Sequence, residues 1–175
     1  GRFILGLGSQ IRPHITKRFS MPWSKPAARM EDMVTAIKAI LNAWQNESRL
    51  EHRGEFYNHT LMTPLFNPGP NPHGIPKIYV AAVGPLMTKA VARSADGLLA
   101  HPFNTPTYLK NITLPLIDEA LSSVNKQKDA FDLSISVMTG IGATEESHKK
   151  AVRACRDQVA FYASTPNYKA VLELH

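Results

Sequence analysis

The alternation of short apolar runs with amphipathic helical segments restricts the fold of this chain more than any other feature. The clearest case is a strand predicted over residues 77–83, KIYVAAV, followed at once by a helix that begins at Gly84-Pro85 and runs to about Ala95. Another apolar run, residues 97–101, follows immediately. Strands that alternate with helices form right-handed βαβ units and a parallel sheet. The sequence therefore predicts an α/β fold.

Two further apolar runs bring the number of predicted strands to four. Residues 3–8, FILGLG, have the length and content of a strand buried on both faces. A long polar loop with several prolines follows, from residue 9 to about residue 25. The last strand is predicted from Leu133 to about Thr139. Loops as long as the first one are uncommon in compact domains, so we expect it to be functional or to lie over a site.

The remaining helices are predicted from their first residues and their apolar spacing. Pro26 suits a first helical turn, and Thr105 can cap a helix that has Pro106 at its first position and is kinked or divided by Pro115. The inward faces are expected at Met33, Val34, Ile37, Ile40, Leu41 and Trp44 in the former helix, and at Leu109, Ile112, Leu116, Ala120 and Val124 in the latter.

Two helices are predicted after the last strand. Thr144 caps the first of them, and acidic residues in its first turn complement the positive end of the helix, which extends to roughly Tyr162. The second starts at Thr165-Pro166 and is still running at His175.

Residues 51–76 read as a small insertion into the main fold. Two short β-like pieces, residues 55–57 and 60–62, precede the segment NPGPNPHGIP, whose prolines and glycines exclude regular structure. An open doubly wound sheet and a closed barrel both accommodate the element order. A full eight-stranded barrel typically needs about 250 residues. Because the chain starts inside a strand and stops inside a helix, we expect it to be an incomplete copy.

Composition places the chain among ordinary globular proteins. No apolar run approaches the roughly 20 residues that span a bilayer, and the start GRFILGLGSQ lacks the features of a signal peptide, so we expect a cytoplasmic protein that does not bind membranes. The net charge is +6. Residues 1–30 hold six basic residues and no acidic one, which fits either a solvated loop or a collar for an anionic ligand. Nucleic-acid binding is not expected, because zinc-finger spacing and aromatic base-stacking motifs are missing.

Two turns with small residues are candidate ligand sites. After the strand predicted over residues 77–83, Ala81, Ala82 and Gly84 leave the backbone open, and the first-turn amides, roughly residues 86–88, could bind a phosphate. After the first strand, the turn at residues 6–9, GLGS, permits close approach of a planar ring or a phosphate. The full dinucleotide-binding fingerprint is missing. Tight packing is the alternative explanation for both turns.

Histidine and cysteine supply few further candidates. His101 ends the strand before Pro102, a place where such enzymes carry functional groups, although a structural histidine is the alternative. His14 lies in the basic loop. We expect the histidines of the insertion to be surface residues, and Cys155 to be a packed helical residue. No pair of histidines has metal-ligand spacing, so no metal site is expected. The insertion histidines are His52, His59 and His73.

Several of these segments, in this order, resemble the luciferase-like monooxygenase superfamily. They are GRFILGLGSQ, the helix at residues 26–44, GEFYNH, IPKIYVAAVGPLMTKAVARSADGLLAHPF and VAFYASTPNYKAVLELH. Within the superfamily they are most similar to the oxidoreductases that use the deazaflavin coenzyme F420. The resemblance implies a (β/α)8 barrel with an insertion, of which residues 1–175 would form one partial barrel domain, with the insertion at about 51–76.

The resemblance also implies roles for individual residues. The cofactor phosphate would meet Ala82, Val83, Gly84 and Pro85, with Met87 in the following turn, and the turn at Gly8 and Ser9 would line the ring. Arg12, His14, Lys17 and Arg18 would contact substrate or anion, because deazaflavin carries a phosphodiester and an oligoglutamate tail. His101 is the candidate catalytic residue or polar substrate contact.

The activity implied is hydride transfer between deazaflavin and a small organic substrate. An enzyme dependent on flavin mononucleotide (FMN) and a non-catalytic barrel fragment are the alternatives. Flavin enzymes of the superfamily tend to have hydroxyl residues where Val83 and Gly84 stand, which favours deazaflavin. The early strands of the family, which carry groups close to the ring, have no counterpart in this chain. The oligomeric state stays open, with a homodimer as one option.

Overall fold

The computed structural model describes residues 2–174. Four strands form one parallel sheet in the order β1-β4-β5-β6, and two short strands form a separate antiparallel pair, β2-β3. The parallel sheet and the alternation of strands with helices confirm the predicted α/β fold class. The strands are β1 (Ile4–Leu7), β2 (His52–Arg53), β3 (Asn58–His59), β4 (Lys77–Ala82), β5 (Gly97–Ala100) and β6 (Asp132–Ile135).

Four of the five predicted helices begin where the sequence predicts them. Prolines occupy the first positions of the helices at Pro26, Pro85 and Pro106, and the Thr105 hydroxyl accepts a hydrogen bond from the Tyr108 N–H at 3.1 Å. The prediction for the last helix was wrong: a 3₁₀ turn forms at Pro166–Tyr168, and α6 ends at Leu172, while His175 itself lies outside the described residues. The helices are α1 (Pro26–Gln45), α2 (Pro85–Ser94), α3 (Pro106–Tyr108), α4 (Leu114–Ser123), α5 (Glu145–Ala163) and α6 (Lys169–Leu172), with π-helical turns at His14–Arg18 and Leu109–Thr113.

The core lies between the sheet and the helices α1, α2 and α4. Alternate residues of the central strands face these helices, and the largest side chains with almost no exposure come from both layers. Each buried aliphatic side chain of this kind contributes about 1.5–3 kcal/mol through removal of apolar surface from water. These side chains are Val34 of α1, Ile78 and Val80 of β4, Val91 of α2, Leu98 of β5 and Leu121 of α4.

Two predictions about the strands were wrong in detail. Strand β1 is not buried on both faces: it pairs, within residues 2–174, with β4 alone, and the Ile4 side chain is 49% exposed. Strand β6 ends at Ile135 and not near Thr139, because its partner β5 ends at Ala100, directly opposite Ile135. An apolar run therefore predicts a strand here, but it does not predict how many strands pair with it.

The third predicted helix is divided near Pro115, as expected: Leu109–Thr113 form a π-helical turn, and α4 begins at Leu114. Ala120 is buried as predicted, together with Ile117 and Leu121. Val124, also predicted to face inward, is 44% exposed, because α4 ends at Ser123 and Val124 is the C-cap residue after it.

The insertion is a β-hairpin attached to α1 by a carboxylate. Asp32 of α1 accepts hydrogen bonds from His52 Nε2 at 2.7 Å, from the Phe56 N–H at 2.6 Å and from the Tyr57 N–H at 3.0 Å. His52 is consequently buried, which corrects the expectation of a surface residue. The predicted β-like piece at residues 55–57 lies in the hairpin turn, because its backbone amides bind Asp32 and no strand.

Gly54 is required in this hairpin by the closeness of Asp32. A Cβ atom on Gly54 would lie 1.8 Å from Oδ1 of Asp32. Gly54→Ala must therefore displace the hairpin or the carboxylate, and we expect it to destabilise the protein by about 1–3 kcal/mol or more. Urea denaturation measures the change. Arg53→Ala, on an exposed side chain of the same hairpin, is the control and should change stability little; equal losses would contradict the steric argument.

The first turn of α5 is closed by reciprocal side-chain bonds. The Thr144 hydroxyl accepts from the Ser147 N–H at 3.2 Å, and the Ser147 hydroxyl accepts from the Thr144 N–H at 2.9 Å. We expect Thr144→Ala to destabilise this helix by about 1 kcal/mol. Helicity from circular dichroism during thermal unfolding measures the loss, with Thr139→Ala, outside the helix, as the control.

No helix within residues 2–174 combines the length and apolarity needed to cross a lipid bilayer.

Candidate functional site

The turns predicted as ligand sites follow neighbouring strands at one edge of the sheet. Leu7 of β1 pairs with Val80 of β4, and Ala82 of β4 pairs with Ala100 of β5. Because all strands are parallel, the segments that follow β1, β4 and β5 emerge together at the carboxyl edge. Ligands bind at this edge in barrels and in open α/β sheets alike.

The turn after β4 has a backbone conformation that favours glycine. Gly84 is the N-cap of α2 and has φ +81° and ψ 159°, a region that residues with a Cβ rarely adopt. A Cβ atom at Gly84 would meet no heavy atom of the described chain within 4 Å. The space in front of this turn is therefore open, and its conformation rather than crowding explains the glycine.

The first intrahelical hydrogen bond of α2 determines which amides remain for a ligand. The Thr88 N–H donates to the Gly84 carbonyl at 3.1 Å, and the Thr88 hydroxyl donates to the same oxygen at 2.9 Å. Thr88 was therefore wrongly included among the unpaired amides. Leu86 and Met87 precede this bond, so their N–H groups are the ones that can bind an anion at the positive end of the helix.

The side chains around this turn differ in their exposure, and so in whether they can contact a ligand. Val83 and Leu86 are exposed, whereas Met87 and Ala82 are buried against the core. Met87 can therefore contribute its backbone amide but not its side chain. Pro85 has no N–H and sets the start of the helix.

The turn after β1 lies directly beside β4. A Cβ atom on Gly8 would be 3.7 Å from the Cβ atom of Ala81, an ordinary contact. The Ser9 hydroxyl donates to the Gln10 carbonyl at 3.2 Å, and Gln10 has φ +58°. The sheet thus brings Gly8 next to Ala81 near the end of β4, and Ser9 follows it in the chain.

The basic segment forms a helical turn where a loop was predicted. Lys17 and Arg18 end the π-helical turn that starts at His14, and the Thr16 hydroxyl donates to the Arg12 carbonyl at 3.0 Å. The backbone bonds of this turn stay within residues 11–21. Residues 8–10 connect this turn to β1, and no backbone hydrogen bond among the described residues joins it to the turn after β4.

The charges of this segment are not neutralised by the part of the chain that the structure describes. Arg12, Lys17 and Arg18 are exposed, and none of them forms an ion pair with a carboxylate of residues 2–174. The Arg18 guanidinium lies 5.4 Å from the ring centroid of Phe19. The segment is therefore a free cationic surface.

His101 follows β5 at the same edge and is held by aromatic rings. Its ring is stacked on Tyr168 at 4.4 Å and meets the Tyr162 ring edge to face at 4.6 Å, measured between centroids. Its Nδ1 accepts a hydrogen bond from the Phe103 N–H at 3.1 Å. Burial lowers the pKa of His101, so the ring is neutral near pH 7 and carries its proton on Nε2.

The tyrosines beside His101 were not among the predicted site residues. Tyr162 lies in the last turn of α5 and Tyr168 in the short 3₁₀ turn at residues 166–168, both some sixty residues after His101. The aromatic residues of the segment FYASTPNY indicated a possible site, but their position in the sequence does not show which strand end they contact.

Cys155, expected to be packed, is only partly buried on α5. Within residues 2–174 there is no group of three metal-binding side chains.

Comparison with known proteins identifies the family of the chain. A family model described as luciferase-like monooxygenase matches residues 1–175. An uncharacterized protein of Mycobacterium tuberculosis is 47% identical over 175 residues, which are 100% of this chain and 52% of that protein. The F420-dependent glucose-6-phosphate dehydrogenase of Intrasporangium calvum is 28% identical over 139 residues, 78% of this chain and 40% of that enzyme.

A solved structure has the same fold. The coenzyme F420 dependent tetrahydromethanopterin reductase from Methanopyrus kandleri superposes with a TM-score of 0.70 at 20% identity, over 95% of this chain and 49% of that one. The chain thus spans about half the length of the relatives that it matches. Its parallel sheet corresponds to part of their barrel, and because the family model covers the whole chain, the chain belongs to the luciferase-like monooxygenase family.

Proposed function

We propose that this chain supplies the phosphate-binding edge and part of the substrate mouth of an oxidoreductase that transfers a hydride between coenzyme F420 and a small organic substrate. The observation that carries the proposal is the turn after β4. There Gly84 adopts φ +81° with open space before it, and the N–H groups of Leu86 and Met87 precede the first helical bond. Such a helix terminus suits a phosphate.

The fit of this turn to the coenzyme follows from its small residues and its place at the edge. The side of Gly84 on which a Cβ would lie is empty, so a phosphate can approach the backbone closely. Gly8 and Ser9 lie beside the end of β4 and would line the ring. The exposed Val83 side chain would lie near the bound coenzyme without offering a hydroxyl group, which fits deazaflavin better than FMN.

The basic segment supplies a reason to prefer a coenzyme with a charged tail. Arg12, Lys17 and Arg18 have no carboxylate partner among the described residues, and His14 begins the same turn. A phosphodiester and an oligoglutamate tail carry several negative charges that these cations would offset. Because exposed charges are screened by salt, this contribution should weaken as ionic strength rises.

In the reaction, the residues of this chain would position the coenzyme and polarise the substrate. The coenzyme, when bound, supplies the hydride chemistry. The amides of Leu86 and Met87 would hold the phosphate and thereby fix the position of the ring. His101, neutral and protonated on Nε2, would donate a hydrogen bond to a polar atom of the substrate. The F420-dependent glucose-6-phosphate dehydrogenase to which the chain is similar supports the choice of coenzyme.

Titration of the complete reading frame that contains this chain tests the proposal. The purified protein is titrated with coenzyme F420 and, separately, with FMN, and binding is followed by the fluorescence of each. We expect saturable binding of F420 and not of FMN, with affinity that falls as salt is raised. Binding of FMN alone would identify a monooxygenase, and binding of neither would refute the cofactor assignment.

A charge variant separates the tail contacts from the phosphate turn. Replacing Arg12, Lys17 and Arg18 together by glutamine should weaken F420 binding about tenfold and flatten its dependence on salt. The control replaces Lys149, Lys150 and Arg153, which are exposed on α5, by glutamine. If both triple variants bind alike, the basic segment does not contact the tail.

A further inference from the structure

The aromatic rings around His101 come from a distant part of the chain. Tyr162 lies in the last turn of α5 and Tyr168 directly precedes α6, yet both rings contact the His101 ring, at 4.6 Å and 4.4 Å between centroids. Phe103 completes the group, with its ring 5.8 Å from that of Tyr168. The C-terminal segment therefore packs on the carboxyl edge of the sheet at one particular side chain.

The two tyrosines constrain the His101 ring in different directions. Tyr168 is nearly parallel to it, with an interplanar angle of 27°, whereas Tyr162 is perpendicular, at 88°. A parallel ring limits tilting, and a perpendicular ring limits rotation within the plane. Together with the bond from the Phe103 N–H to Nδ1, these contacts define one orientation of the imidazole.

The opposite nitrogen of this imidazole is available. In the part of the chain that the structure describes, Nε2 of His101 has no hydrogen-bond partner, and no buried side-chain nitrogen or oxygen lacks one. Nε2 is therefore not sealed in the core but reaches accessible space. Because Nδ1 accepts a hydrogen bond, the proton of the neutral ring resides on Nε2, which makes it a donor.

We infer that Tyr162 and Tyr168 are positioning residues, which hold His101 as an oriented Nε2–H donor for a polar acceptor atom of the substrate. The inference rests on the proposed function, since it names the Nε2–H of His101 as a hydrogen-bond donor to the substrate of that site. It implies a substrate with a carbonyl or hydroxyl oxygen near the reacting carbon. It also implies that residues 162–168 influence substrate choice without touching the substrate.

The pKa of His101 depends on its contacts with Tyr162 and Tyr168, because these rings bury the imidazole. Burial is the cause of its lowered pKa, and Tyr162 and Tyr168 are the titratable groups that face it; the pKa of Tyr168 is itself raised, first by burial. No charged side chain of residues 2–174 forms an ion pair with the ring. Removing a tyrosine ring should therefore expose the imidazole, free its orientation and raise its pKa.

Side-chain NMR of the intact protein without coenzyme tests the inference. The protein is labelled with ¹⁵N-histidine, and the His101 signals are identified by their loss in His101→Gln. We expect the neutral Nε2–H tautomer in the wild type. Tyr168→Leu and Tyr162→Leu should each produce a mixture of tautomers and move the titration midpoint upward, whereas Tyr168→Phe, which keeps the ring, should behave as the wild type does.

Phe161→Leu is the matched control, because Phe161 contacts the Tyr162 ring at 5.6 Å and is 68% exposed. It should leave the His101 signals unchanged. A wild-type Nδ1–H tautomer, or unchanged tautomer and midpoint in both leucine variants, would overturn the inference. Since coenzyme is not present in this experiment, its outcome is independent of the titrations that test the proposed function.

Discussion

Gly84→Asp is expected to weaken binding of coenzyme F420 by about 100-fold or more. The substitution acts in two ways at the N-terminus of α2. It forces a residue with a Cβ into φ +81°, at a cost of about 1–3 kcal/mol, and it places a carboxylate where the phosphate is proposed to bind. Repulsion between the two anions and the loss of charge-assisted hydrogen bonds to the amides of Leu86 and Met87 both reduce affinity.

A control with the same backbone strain separates binding from stability. Gly69 has φ +79°, a Cβ there would also meet no atom within 4 Å, and it lies in the insertion and not at the carboxyl edge. Gly69→Asp should therefore lower stability in urea to a similar degree while leaving the Kd for F420 unchanged. If both variants bind as the wild type does, the phosphate does not meet the turn after β4.

The elements that the sequence predicted well are those whose ends are set by local chemistry. Pro85 restricts its own φ, and Thr105 and Thr144 cap their helices with their own hydroxyl groups. Gly84 has a positive φ that glycine adopts without strain. Each of these constraints acts within about four residues, so it is visible in the sequence without knowledge of the tertiary structure.

The features that sequence reasoning missed depend on distant partners. His52 is buried because Asp32, twenty residues earlier, accepts its hydrogen bond. Val124 is exposed because α4 ends at Ser123, so Val124 lies outside the helix whose spacing predicted it to face inward. Apolar spacing alone does not show where a helix ends.

The candidate site divides in the same way. The turns at Gly8 and Gly84 could be placed at one edge from the parallel topology alone, because carboxyl ends of parallel strands coincide. The contacts between His101 and the tyrosines could not, since Tyr162 lies in the last turn of α5 and Tyr168 in the 3₁₀ turn after it, and only the packing of α5 brings them to His101. Residues 11–18 form a local turn, and their charge was predictable while their distance from the phosphate turn was not.

Asp32→Ala is expected to destabilise the protein by about 3–5 kcal/mol, because it removes one partner of a buried polar cluster and leaves the others unsatisfied. The side chains of Asp32 and His52 are only 11% and 9% exposed. The substitution leaves the His52 ring and the N–H groups of Phe56 and Tyr57 without their hydrogen-bond acceptor, and so releases the hairpin from α1. Urea denaturation at pH 7 measures the loss.

The pH dependence of this loss tests its electrostatic origin. Burial alone would raise the pKa of Asp32, but hydrogen bonds from the Phe56 N–H, the His52 ring and the Tyr57 N–H outweigh it and hold the pKa below 3.8. A lowered pKa means that the carboxylate stabilises the fold fully above its unfolded pKa and progressively less as pH falls through the folded value. The difference between wild type and Asp32→Ala should therefore be constant above about pH 5 and shrink in stronger acid.

Glu55→Ala is the control for this prediction, since its ion pair with Lys25 belongs to the same hairpin but is exposed to solvent. Exposed pairs contribute about 0–1 kcal/mol, so this variant should be nearly as stable as the wild type at pH 7. A loss for Asp32→Ala no larger than that for Glu55→Ala would mean that the hairpin is held by other contacts, such as the cation–π contact of the Arg29 guanidinium with the Phe56 ring at 4.4 Å, and not by the carboxylate. A large loss confined to Asp32 would identify this single carboxylate as the attachment point of the insertion, and would explain why a histidine in a polar segment is buried.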